Sequence, residues 1–385
     1  IVLFLNTNLV KKKKNFSNLD RILKKNADLI LTPNSVPFKN LIIDKLKLKS
    51  FQDVKDLLFF FIKLIKSDNY KIKSNFFKNK ICDQFNIKYI CNATGAIIDN
   101  CWFNLDDKVK YLVLPHAPTF RGGSLHKYRT CDIKKYDSSR IKRYNHLKRY
   151  PNGTIFFTCD KEEKIYFKKY CPKNIKLVPI GFPRLQDDWI SIIKKNKKSL
   201  KKKRQILILL GKLSYIGKNA LIKKFEDILF LAEKYKFDVK FKYHPKSTFK
   251  IKHITKKFPK INIIEANNNV MSEAINSMIT ISTSKTGSCL DSVIVGTPVI
   301  EYYSYSNHIY NNIQNEFKIN GKTTSLFKYY GIVKSIDNFM DLDNFIKEID
   351  SSAKKFRKII LDQKKALSKI AHNRNNLPEK FLKSI

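Results

Sequence analysis

The segment 278–303 of the 385-residue chain, MITISTSKTGSCLDSVIVGTPVIEYY, gathers hydroxyls, a lysine and a glycine into one short loop. Ser284, Lys285, Thr286, Gly287 and Ser288 follow the β-branched run 279–282 and precede an apolar-periodic segment that stops at Gly296. A helix start carries unpaired N–H groups and a partial positive charge, and a glycine admits close backbone approach, so this set of residues suits a phosphate. Hydroxyl residues also serve simply as helix caps, and the loop taken alone leaves both readings open.

Two histidines could add chemistry. His244 ends the apolar run 239–243 and is followed by Pro245, which denies it a helical continuation and holds it at the strand end. His116 lies in LPHAPTFRGGSLH, a loop after the run 111–114 that also holds two glycines and an arginine. It suits a general base or a ligand contact, and equally a hydrogen-bonded loop histidine. A glycine and a lysine follow the run 204–211 in GKLSYIGKN, but the spacing is neither GxGxxG nor a P-loop.

The elements that must position these residues alternate. Runs 279–282 and 299–303 flank the helical segment, so the unit predicts β-α-β with parallel strands and a crossover helix. In open α/β sheets the strand-to-helix loops lie at the carboxyl edge, where ligands bind. Further strands are expected at 1–6, 29–32, 87–91, 111–114, 154–158, 175–180, 204–211, 239–243 and 261–264. Helices are expected at 50–66, 220–235 and 249–258, with a long basic helical stretch over 344–372 packing back across the chain. The length favours two domains. The lysine run KKNKKSLKKKR at 194–204 has no core-forming pattern and marks their connector, giving domains 1–195 and 204–385.

The chain carries 76 Lys+Arg against 33 Asp+Glu, a net charge of +43. Such a surface attracts polyanions in a salt-dependent way. Lysine far outnumbers arginine, and Asn and Ile are abundant, so composition alone selects no partner. The basic, tyrosine-rich segment 127–150 carries no RRM, KH or helix-turn-helix signature and reads as an acceptor-side loop or solvated helix, so no specific nucleic-acid partner is expected. Seven scattered cysteines lack zinc-site spacing and suggest reduced thiols in a cytoplasmic protein. No DxD pattern or carboxylate cluster calls for a metal. No secretory signal is visible, and since the chain opens on Ile1 rather than Met, upstream residues are expected. The most apolar helical stretch, 54–66, is too short and lysine-broken to span a bilayer and reads as a core helix.

The strand ending in His-Pro, followed further along by a strand, a hydroxyl-rich loop and a helix ending in Gly-x-Pro-Val-Ile, resembles the GT-B glycosyltransferases. Within them the chain is similar to surface-polysaccharide enzymes using CMP- or CDP-activated donors: capsule Kdo transferases, polysialyltransferases and the CDP-glycerol glycerophosphotransferases of teichoic acid synthesis. The resemblance implies an α/β, GT-B-like fold of two Rossmann-like domains with parallel sheets facing across a cleft. It also implies donor-phosphate binding by His244 and the loop Ser284, Lys285, Thr286, Gly287 and Ser288. LDSVIVGTPVI resembles the LEA…GTPVI segment whose acid binds the donor ribose, and Asp291 occupies that place. Thr283 stands where the first glutamate of the broader E-x7-E pattern would be, which argues against retaining enzymes of that type. LPHAP resembles the strand-end His loop of the glycerophosphotransferases, with Ala117 in place of their glycine, and makes His116 the candidate base.

The expected activity is therefore transfer of a sugar or glycerol phosphate from a CMP- or CDP-activated donor to a polysaccharide or lipid-linked acceptor, without cofactor or metal. The expected setting is the cytoplasm, at the inner face of the cell membrane, with peripheral membrane association. Two other readings compete. A UDP-N-acetylglucosamine 2-epimerase shares the fold, but its phosphate loop usually carries paired glycines that SKTGS lacks. A non-enzymatic polyanion-binding protein would explain the charge, yet not His244, Asp291 or the order of the elements.

Overall fold

The computed structural model describes residues 2–5, 29–30, 89–93, 110–114, 152–169, 171–195, 202–211, 218–244, 251–284, 286–302, 316–320 and 322–371, with 380 and 383. The chain divides into two compact units, the first holding the strands up to Trp189 and the second spanning Ile190–His372.

In the first unit six strands, β1 (Val2–Leu5), β2 (Leu29–Ile30), β3 (Tyr89–Ala93), β4 (Lys110–Leu114), β5 (Ile155–Thr158) and β6 (Lys176–Pro179), form a sheet in the order β2-β1-β3-β4-β5-β6. Every pairing is parallel. Tyr111, Leu112, Val113 and Leu114 of β4 are buried, as are Ile155, Phe156 and Phe157 of β5, the signature of strands covered on both faces. Helix α1 (Lys161–Lys168) starts at Asp160, whose carboxylate accepts from Glu163 N at 2.6 Å, while Glu163 accepts in turn from Cys159 N at 2.6 Å. The first bond satisfies a donor that the helix start leaves open, and the second ties the residue before the cap to the first turn. Phe167 of α1 meets Phe156 of β5 with ring centroids 4.6 Å apart, and α2 (Asp187–Lys195) follows.

The second unit begins its sheet with β7 (Lys203–Leu210), whose residues Gln205 to Leu210 are all buried. Then follow α3 (Lys218–Lys234), β8 (Asp238–Tyr243), α4 (Lys252–Thr255), β9 (Ile263–Glu265), α5 (Val270–Asn276), β10 (Ser277–Ser282), α6 (Ser288–Ile294) and β11 (Val299–Tyr302). A small antiparallel hairpin, β12 (Glu316–Ile319) with β13 (Lys322–Ser325), precedes α7 (Leu326–Tyr329), β14 (Lys334–Ile336), α8 (Phe339–Ser351) and α9 (Ala353–Ile370). The main sheet runs β14-β11-β10-β7-β8-β9, again parallel throughout. Counted within the unit, that is the Rossmann strand order, with its topological switch between β7 and β10. Helix α3 buries Leu221, Phe225, Ile228, Leu229 and Ala232 at helical spacing against this sheet.

Two sequence expectations are corrected. The helix foreseen over 249–258 is, among the described residues, the single turn Lys252–Thr255. The stretch 344–372 is two helices, because Ser352 is extended (φ −138°, ψ 102°) and caps the second one, its hydroxyl accepting from Lys355 N at 3.3 Å. Both helices belong to the second unit. No helix among the described residues is long and apolar enough to cross a membrane.

Candidate functional site

Strand β7 pairs with β8 on one side and β10 on the other, so that Leu209 faces both Lys242 and Ser282, and Leu210 faces Tyr243. His244 therefore leaves β8 level with Gly211, and Thr283 leaves β10 on the other side of β7 one residue earlier, level with Leu210. With neighbouring strands about 5 Å apart, His244 and the start of the 283–288 loop are roughly 10 Å from each other, with the end of β7 between them.

The floor of this edge is a close backbone contact. Gly211 N donates to Thr283 Oγ1 at 2.9 Å, Thr283 N donates to Leu209 O at 3.1 Å, and the Thr283 hydroxyl reaches Leu209 O at 3.3 Å. A Cβ at Gly211 would overlap both Oγ and Cβ of Ser284, so only glycine fits there. Ser284 itself is buried, and its carbonyl accepts the hydroxyl of Ser282. The two strand ends on either side of the switch point are thereby locked together. Sequence reading noted Gly211 only as a loop glycine and Thr283 only as a departure from a motif; nothing local marks their contact.

The loop then opens. Thr286, Gly287 and Ser288 are partly exposed, and Gly287 occupies the N-cap of α6 with no side-chain cap hydrogen bond. Among the loop hydroxyls Thr286 acts as a cap, accepting from Ser288 N at a long 3.4 Å. Cys289 N and Leu290 N turn inward to the carbonyls of Thr286 and Gly287, both at 3.1 Å. The helix ends as the sequence foretold: Gly296 has φ +85°, Gly296 N donates to Val293 O and Thr297 N to Ser292 O, each at 3.0 Å. That pair of bonds is the Schellman motif.

His244 is half-buried directly after β8. His116 and Lys285 lie outside the described residues. Asp291 sits in the first turn of α6 and is 0% exposed, on a helix whose residues Cys289 to Ile294 are all buried. The burial of its carboxylate is a matter of tertiary packing, which the resemblance that marked Asp291 for a donor ribose does not show.

Behind the loop lies an acid that sequence reading passed over. Glu301 pairs in register with Ser282, is fully buried, and accepts from Ser325 Oγ at 3.0 Å and Ser335 Oγ at 3.5 Å. The Cys289 thiol is pushed well above its ordinary range, first by burial and then by the nearby Glu301 charge. The signal was present as a lone charge inside the apolar run VIEYY. Among the described residues no group of His, Cys, Asp or Glu side chains is placed to hold a metal ion.

Comparison with known proteins bears on the fold. No family model matches the chain, and no curated protein matches it in sequence. Solved structures do. The chain is similar over its whole length to S. aureus MnaA in complex with UDP, at 13% identity and a TM-score of 0.51, covering 97% of that chain. It is similar to the UDP-GlcNAc 2-epimerase of Neisseria meningitidis bound to UDP-GlcNAc, at 12% identity and a TM-score of 0.50, over 99% of this chain and 98% of that one. Os79 of O. sativa in complex with UDP matches at 10% identity and a TM-score of 0.50 over the full length of both. The fold is α/β and GT-B-like, with two Rossmann-like domains built on parallel sheets.

Proposed function

We propose that the chain is a nucleotide-dependent transferase that moves a sugar or glycerol phosphate from a CMP- or CDP-activated donor to a surface polysaccharide or lipid-linked acceptor. The observation that carries this reading is the arrival of Gly211, His244 and the loop that begins at Thr283 at one carboxyl edge of a Rossmann-ordered sheet, around its switch point. Donor phosphates are held by the hydroxyls and backbone N–H groups of Ser284, Thr286, Gly287 and Ser288, with Lys285 and His244 supplying positive charge. Charge developing on the departing nucleotide is then met by fixed donors without a metal or cofactor. His116 deprotonates the acceptor hydroxyl. Asp291 reaches the ribose only if the first turn of α6 uncovers it. The reaction takes place in the cytoplasm at the inner membrane face, with the protein peripherally bound.

A second reading is favoured by a specific observation. The Neisseria meningitidis epimerase matches the chain from end to end, so a UDP-N-acetylglucosamine 2-epimerase activity is the competing assignment. The single glycine of the Ser284 to Ser288 loop supports the transferase.

Isothermal calorimetry of the folded protein with CMP, CDP, UDP and UDP-GlcNAc separates the two. Binding of a cytidine nucleotide that weakens about tenfold or more in His244→Ala, the loss of a charge-assisted contact worth about 1.5–3 kcal/mol, is the expected result. Unchanged nucleotide affinity in His244→Ala removes the phosphate-site assignment. Turnover of UDP-GlcNAc without any acceptor establishes the epimerase instead.

A further inference from the structure

Helices α8 and α9 follow one another yet differ in charge. Helix α8 carries Asp341, Asp343, Glu348 and Asp350 against Lys347, whereas α9 carries seven Lys or Arg residues and a single acid, Asp362. The acids of α8 are engaged: Asp350 receives two bonds from Arg204 at 2.6 and 2.8 Å, and Asp343 is bonded by Lys234 and Tyr235, both at 2.7 Å. Of the bases of α9, Lys355 pairs with Glu348 at 3.2 Å, and Lys364 lies against Gly296.

The rotation of α9 about its axis is set by its inner face. Gln363 is buried and bonds both backbone groups of Val299, accepting from its N–H at 2.9 Å and donating to its carbonyl at 2.8 Å. Ala366 and Leu367 are buried beside it. At 100° per residue the opposite face is then fixed: Lys354, Arg357, Lys358, Lys365 and Lys369, all exposed, surround Leu361, which is 65% exposed. A single exposed leucine is ordinary on a solvated surface, but five bases arrayed around it on one helical face match in charge an interface of anionic headgroups over acyl chains.

We propose that the outer face of α9 docks the protein on an anionic phospholipid surface, with Leu361 entering the headgroup layer and the five bases around it meeting lipid phosphates. The proposal deepens the peripheral-membrane part of the function proposed above and rests on it. It also places the membrane contact on the nucleotide-binding unit, since α9 packs against α6, the helix that the 283–288 loop leads into.

The test is co-sedimentation of the full chain with vesicles rich in phosphatidylglycerol and with vesicles of phosphatidylcholine alone. Selective binding to the first is expected. Each base beside an anionic leaflet is worth about fivefold in partitioning, so Lys358→Glu with Lys365→Glu should lower binding by at least about 25-fold. Leu361→Asp should lower it by about tenfold through lost apolar insertion. The control reverses Lys256 and Lys260, exposed lysines elsewhere on the unit, and should change binding much less. Unaltered thermal melting certifies that each variant is folded. Equal loss in the α9 and control variants, or full binding by the Leu361→Asp protein, overturns the proposal. If the α9 reversal abolishes binding to polyuridylate while Leu361→Asp leaves vesicle binding intact, the face serves nucleic acid and the proposal falls. Nucleotide affinity, measured separately by calorimetry on the same variants, is expected to be unchanged, so failure of the docking face and failure of the transferase reading are told apart.

Discussion

The two edges of the second sheet are built from the same strands and use their polar groups in opposite ways. At the amino edge the chain closes on itself. Lys202 Nζ donates to Ser277 O at 2.9 Å and Thr297 Oγ1 at 2.7 Å, Gln205 Nε2 donates to Ser277 Oγ at 2.7 Å, and Ser277 Oγ donates to Glu273 O at 2.9 Å. Gln363 completes this seam by occupying both backbone groups of Val299. At the carboxyl edge, among the described residues, Thr283 closes the floor on Gly211 and Ser282 bonds the carbonyl of Ser284, while the N-cap position of α6 is the glycine Gly287. Polar groups that answer one another hold a fold together, and groups held in place without such closure can serve a ligand.

If that contrast is right, damage at the amino edge should show in stability and damage at the carboxyl edge in binding. The largest effect is expected for Gln363→Leu, which strands two buried backbone groups at a cost of roughly 2–5 kcal/mol. Urea unfolding should report that loss, and nucleotide affinity of the folded fraction should be unaltered; a matching loss of affinity would break the contrast. Gly211→Ala comes next. Its Cβ has no space against Ser284, and overpacking of this kind costs about 1–3 kcal/mol. Displacement of the 283–288 loop should weaken nucleotide binding at least as strongly as it lowers the melting temperature, and unchanged affinity would show that the Gly211 to Ser284 contact is merely structural.

The smallest effect concerns pH. Burial, with a further push from Lys364, lowers the Lys202 ammonium to about 8. An unfolded lysine titrates near 10.4, so between those values the unfolded chain binds a proton that the folded one has lost, and stability rises with pH across that window. The gain should be about 1–2 kcal/mol after allowance for partial exposure. In Lys202→Met the part of the rise contributed by this residue should vanish, which denaturant midpoints at pH 8 and above would reveal; identical pH slopes for the two proteins would remove Lys202 from the account.

Much of the second unit could be read from residue order. The alternation of β-branched runs with helical segments, the stop at Gly296 and the extra strand opened by Thr297-Pro298 are local matters of backbone preference and apolar period, and they appear where expected: β10 ends at Ser282, α6 starts at Ser288, and β11 begins at Val299. His244 and the hydroxyl loop were legible as well, because parallel strands send their following loops to one edge. Charge and motif alone did not place the break at Ser352: serine favours caps but is also tolerated within helices, and the packing of both flanks decides which it does.

Residue order determined which groups arrive at the carboxyl edge, and tertiary packing decided which of them remain accessible there. Thr283 and Gly211, or Gln363 and Val299, are far apart in the chain, and no local preference encodes their pairing. The same holds for the burial of Asp291, which the resemblance marked for a ribose, and for Glu301, a charge in an apolar run whose partners Ser325 and Ser335 come from a later hairpin and strand. Strands and turns follow from each residue's own steric limits, whereas burial and long-range hydrogen bonds depend on what the rest of the chain brings alongside.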